Sequence, residues 1–176
     1  MAYYLADPMC KFYYEQIKEP NSDESDVDNF YNNTLSLYFP RNQLYGIEQE
    51  SRPLKELRLT NKTDFTIRCI RNGTPKKVVV IECRRKDFAY QDAKWRATLN
   101  QAIDYVKLIR AEQGQNASED LHIIIAIGTY LRAFTHKQGA DDAVPFSVCA
   151  NELLELKTDE AKVHAVFTEM NRITQH

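Results

Sequence analysis

The chain has 176 residues, of which 43% are hydrophobic and 27% charged, and its net charge is −2. This composition predicts one globular domain with one core over 1–176, and it excludes a protein that grips nucleic acid by overall basicity. No apolar run approaches the ~18 residues of a membrane span and no secretory signal opens the chain. The expectation is therefore an intracellular protein, cytoplasmic or nuclear, neither secreted nor bound to a membrane.

In chain order, residues 1–23 read as an aromatic N-terminal extension, with Phe12, Tyr13, Tyr14 and Ile17 on a short helix that Pro20 ends. Acids and serines from Asn21 to Asp28 read as a solvated loop. A helix is predicted from about Ser22 to Asp26 up to Pro40, with Phe30, Thr34, Leu37 and Tyr38 as its apolar face. Gln43 to Glu50 reads as a first strand with Leu44 and Ile47 in the core, and some strand is expected at Leu57 to Leu59. Asp64 to Ile70 and Lys77 to Arg84 read as two strands joined by a turn at Asn72-Gly73. The four consecutive apolar residues Val78 to Ile81 predict a central strand covered on both faces.

A long helix follows, from about Phe88 to Glu112. Trp95, Leu99, Ala102, Ile103, Val106 and Ile109 recur at helical spacing on it. Leu121 to Ile127 reads as a buried strand beginning at a core histidine, His122, and Gly128 as a bend. Tyr130 to Phe134 reads as another strand, and Val144 to Val148 as a short edge strand. A terminal helix from about Thr158 to Arg172 lies within a C-terminal addition, 150–176. The four cysteines, Cys10, Cys69, Cys83 and Cys149, have no metal-ligand spacing and read as free buried thiols. The element order predicts an α/β fold in which an antiparallel meander joins another strand through a helix.

Chemistry concentrates at two neighbouring strand ends. Side chains alternate along a strand, so Glu82 and Arg84 share a face. Asp64 lies on the adjacent strand. Two carboxylates and a cation there suit Mg²⁺ and phosphate. A strict two-residue turn would set Asp64 opposite Ile81 and face it away from Glu82. Co-facing therefore requires a bulge, expected at Thr74-Pro75. Arg68, Arg71, Lys76, Lys77, Arg84, Arg85 and Lys86 predict a basic patch on this hairpin. No phosphate loop, dinucleotide fingerprint, serine-hydrolase elbow or zinc-protease motif is present.

Tyr45 to Glu50, Asp64 with Phe65 to Ile67, Val78 to Arg84, Trp95, Gln101 to Tyr105 and Ile123 to Phe134 together resemble the PD-(D/E)xK, or restriction-endonuclease-like, nuclease superfamily. More narrowly, they resemble a small fungal branch of it. The resemblance spans about residues 24–136. It implies a restriction-endonuclease-like core of order α-β-β-β-α-β, with a mixed central sheet and helices on both faces. It also implies Mg²⁺ (or Mn²⁺) held by Asp64 and Glu82, a nucleic-acid substrate (DNA or RNA), Gln101 pointing into the site, and Arg84 at the position of the catalytic lysine. Glu48 or Glu50 would add a carboxylate. Arginine stays charged and clamps phosphate where lysine can also tune a water, so Lys86 is a candidate substitute.

Structural alternatives stand beside each reading. Asp64 serves equally as a turn cap, Glu82 as an ion-pair partner of Arg84 or Arg68, residues 84–86 as a solvated strand end, and Trp95 as core. The alternative function is a catalytically silent nuclease-fold module that binds nucleic acid or protein, dimerising through its aromatic N-terminus.

Overall fold

The structure, a computed structural model, describes residues 3–51, 63–113 and 119–175. Helix α1 (Pro8–Lys18) starts earlier than the aromatic run suggests. The Asp7 carboxylate accepts from the Met9 and Cys10 amides, and Pro8 occupies a first-turn position where no donor is needed. Helix α2 (Glu24–Tyr38) opens with a reciprocal capping box between Asp23 and Asp26. Its buried stripe is Val27, Phe30, Tyr31, Thr34 and Leu35, while Leu37 is exposed. The apolar face is therefore rotated from the one expected, because the helix packs on Val27 and Tyr31 rather than on its last turn.

Strands β1 (Tyr45–Ser51), β2 (Thr63–Arg71) and β3 (Thr74–Arg84) form the antiparallel meander. Helix α3 (Asp92–Gln113) then carries the chain to β4 (Leu121–Ile127), which lies parallel to β3. Antiparallel β5 (Tyr130–His136) follows, with β6 (Val144–Pro145) and β7 (Leu154–Glu155) both on its outer edge. Helix α4 (Glu160–Thr174) ends the described chain. The result is an open, mixed α/β sheet of seven strands, in the order β1-β2-β3-β4-β5-β6 with β7 also on β5, and four α-helices among the described residues.

The two sheet faces bury two separate cores. Phe65, Ile67, Val79, Ile81, Cys83, Ile124 and Ala126 meet α1, α2 and α4. Val80, Ile123, Ile125, Ile127 and Phe134 meet the Trp95, Ala102, Ile103, Val106 and Ile109 face of α3. Helices thus cover both faces, which is why β3 and β4 read as continuous apolar runs. Tyr4 and Tyr14 of the N-terminal segment are buried in the first core. All four cysteines are free and buried. His122 is buried against the Thr135 hydroxyl at 3.2 Å, as a core histidine should be.

Some expectations are corrected. Leu44 is exposed in a left-handed conformation, and Tyr45 is the buried residue in its place. The edge strand at 144–148 shrinks to Val144–Pro145, since Pro145 lacks a donor to extend it. Strand β7 went unread because two residues carry no periodicity. Leu57 to Leu59 lies outside the described residues. No helix among the described residues is long and apolar enough to cross a membrane.

Candidate active site

The hairpin register decides whether Asp64 meets Glu82. Asn72 and Gly73 both adopt positive φ (50° and 74°), and pairing runs regularly from Arg71↔Thr74 to Arg68↔Lys77. The next pair is Ile67↔Val79, which leaves Val78 as an extra residue. This bulge is the irregularity that co-facing required, but it sits at Val78 rather than at Thr74-Pro75. Val78 and Val79 both enter the first core, so burying one more apolar side chain offsets the lost pairing. Beyond it Phe65 faces Ile81, and one further residue sets Asp64 beside Glu82.

The two carboxylates converge on one guanidinium. Arg84 donates from Nη1 to Asp64 Oδ2 at 3.3 Å and from Nη2 to Glu82 Oε2 at 3.2 Å. Gln101, from α3, accepts from Arg84 Nη2 at 2.8 Å and donates to Glu82 Oε2 at 3.3 Å. The Cys83 amide donates to Asp64 Oδ2 at 2.6 Å. Asp64, Glu82, Arg84 and Gln101, chosen from sequence, are therefore one connected cluster. The ion pair between Glu82 and Arg84 is also present, which is the structural alternative for Glu82.

Two further acids went unread. Glu24 Oε1 lies 3.7 Å from Arg84 Nη1, and a carboxylate oxygen of Asp28 lies within 4.8 Å of ligand atoms of both Asp64 and Cys83. Both sit in the stretch whose acids and serines predict a solvated loop and which instead forms the first turns of α2. The signal was their i, i+4 spacing in line with Tyr31 and Leu35, legible once the helix register is known.

Four carboxylates around one arginine leave the cluster short of positive charge. Burial, reinforced by the charge on Asp64, pushes the Glu82 carboxyl up to about 7 and that of Asp28 up to about 6. Burial likewise raises Asp64 and Glu24. Glu82 Oε1 and Asp28 Oδ1 are buried with no hydrogen-bond partner among the described residues. Buried acceptors without donors amid excess negative charge fit a hard divalent cation. Cys83 is fully buried and its thiol is raised well above its usual range, so it stays neutral and the oxygens carry the fit.

Other candidates fall away from this centre. Glu48 is bound by Arg68 at 2.6 Å, whereas Glu50 lies near enough to Asp64 to raise it further. Lys86 does not replace Arg84, because its Nζ donates to the carbonyls of Lys18 and Glu19 at the end of α1. The expected basic patch is divided among ion pairs: Arg68 with Glu48, Arg71 with Glu119, Lys77 with Glu112 and Arg85 with Asp87. Trp95 is core, its indole donating to the Ala89 carbonyl at 2.8 Å.

Compared with models of protein families, with curated proteins and with solved structures, the chain matches none.

Proposed function

We propose that the chain carries a restriction-endonuclease-like core and hydrolyses phosphodiester bonds in nucleic acid with the help of Mg²⁺ or Mn²⁺. The observation that carries this reading is the convergence of Asp64 and Glu82, with the buried Glu82 Oε1 left without a donor. Asp64 and Glu82 would hold the ion, which when bound would supply Lewis acidity to the phosphoryl group and a more acidic water. Gln101 fixes the Glu82 carboxylate by donating to Oε2. Arg84 would offer its guanidinium to the non-bridging phosphate oxygens.

A second reading rests on Arg84 itself. Its guanidinium already pairs with both carboxylates, which suits a silent module that keeps the fold for binding nucleic acid or protein. A cleavage assay on single- and double-stranded DNA and RNA with Mg²⁺ or Mn²⁺ separates the two. The enzyme reading expects divalent-dependent cleavage that Glu82→Gln lowers by at least ~100-fold and Arg84→Lys changes modestly. Equal inertness of wild type and both variants on every substrate favours the silent module.

A further inference from the structure

The cleft between the first turns of α3 and strand β5 is a different place. Its volume is about 360 Å³, and Trp95, Arg96, Leu99, Arg132 and Phe134 line it, with Asp92 and Asn151. No residue bonded to Asp64 or Glu82 is among them. Arg132, Ile125 and Glu82 lie in one cross-strand row, which puts Arg132 two strands, about 10 Å, from Glu82.

Arg132 is half-buried in the apolar layer under α3, with its guanidinium 5.2 Å from the centre of the Trp95 ring. Its Nε is buried and has no acceptor among the described residues. No ion pair neutralises Arg132 or Arg96 among the described residues; Asp92 shares the cleft without closing on either. A guanidinium held among Trp95, Leu99 and Phe134 without a counter-ion is costly unless an anion completes it. The indole face attracts and positions the guanidinium, whose terminal N–H groups are the ones an oxyanion in the cleft would meet.

We propose that this cleft binds a phosphate monoester with a planar, hydroxylated organic part, a nucleoside monophosphate in chemical class. Arg132 and Arg96 would take the phosphate. The cleft is larger than a phosphate alone needs, and Leu99 and Phe134 give the flat group an apolar wall. Asp92 and Asn151 offer polar partners to its hydroxyls. The proposal does not depend on the phosphodiesterase reading.

Trp95 is the chain's single tryptophan, so its fluorescence reports on this cleft. The experiment titrates the full chain with adenosine 5′-monophosphate, adenosine or inorganic phosphate at constant ionic strength. Calorimetry serves as a second readout. The expected result is saturable binding of the nucleotide, at least tenfold weaker binding of either fragment, and at least tenfold loss in Arg132→Gln and in Arg96→Gln. Glu82→Gln should titrate like wild type here, even though it ends cleavage on the enzyme reading. No saturable response in wild type overturns the proposal, as does undiminished affinity in a folded Arg132→Gln. Should that variant not fold, undiminished affinity in Arg96→Gln overturns it equally. Inorganic phosphate binding as tightly as the nucleotide overturns the monoester assignment.

Discussion

At Glu82, burial sets a carboxylate's charge against the stability of the fold. Its side chain is 1% exposed, and burial together with the Asp64 charge outweighs the help of Arg84, holding its carboxyl near 7. An unfolded glutamate titrates near 4.5, so between these values the folded chain keeps a proton that the unfolded chain has lost. Stability from this group is therefore full below about pH 4.5 and is lost as pH rises through 7. Glu82→Gln removes the penalty. Without divalent ions it should be more stable than wild type by about 1–3 kcal/mol at pH 8 and equal to it near pH 4.5, as urea unfolding at the two pH values would show. No gain at pH 8 would mean that Arg84 compensates the charge in full. Glu82 and Arg84 were legible as a pair because strand alternation is a local rule, whereas Asp64 joins them only through the bulge. Glu24 and Asp28 were not legible, since early helix acids ordinarily serve the cap and the dipole, as Asp23 and Asp26 do here.

At the scale of elements, two small irregularities position the site. The Val78 bulge turns Asp64 to the Glu82 side. The bend between β4 and β5 holds the segment that follows Arg84. There Gly128 has φ +59°, its amide donates to the Arg84 carbonyl at 2.9 Å, and an added Cβ would lie 2.6 Å from Lys86 Cβ and 2.7 Å from Lys86 Cα. Gly128→Ala must therefore accept a left-handed backbone and also displace the backbone two residues beyond Arg84. The expected cost is about 2–4 kcal/mol, read as a lowered midpoint in chemical denaturation. A wild-type midpoint would show that the 84–86 segment gives way freely. The sequence points to a bend at Gly128 and to a bulge at Thr74-Pro75, and the bulge lies instead at Val78. Val78 and Val79 are equally apolar in sequence, and only their common burial in the first core singles out the pair.

For the molecule as a whole, the candidate site lies where α2, β2, β3 and α3 meet, so a ligand there ties both cores to one point. Saturating Mg²⁺ or Mn²⁺ at pH 8 should stabilise the native state by about 2.7 kcal/mol at one hundred times the dissociation constant. For a chain of this size that is roughly 5–10 °C in Tm. The shift should shrink near pH 5, where Glu82 and Asp28 bind protons instead, and should vanish in Glu82→Gln. A shift of equal size in Glu82→Gln would place the ion elsewhere.

Elements with strong local signals are readable along the chain: the apolar runs of β3 and β4, the periodic face of α3, the Asn72-Gly73 turn and the alternation that pairs Glu82 with Arg84. Tertiary packing settles which charges meet. It draws Glu24 and Asp28 from α2 onto Asp64, Cys83 and Arg84, ties Lys86 to the end of α1, divides the basic hairpin among ion pairs and leaves Arg132 Nε without an acceptor among the described residues. Periodicity is set by neighbouring backbone geometry and can be read along the chain. Charge pairing is set by distances between segments remote in sequence, and these exist only once the two cores have packed.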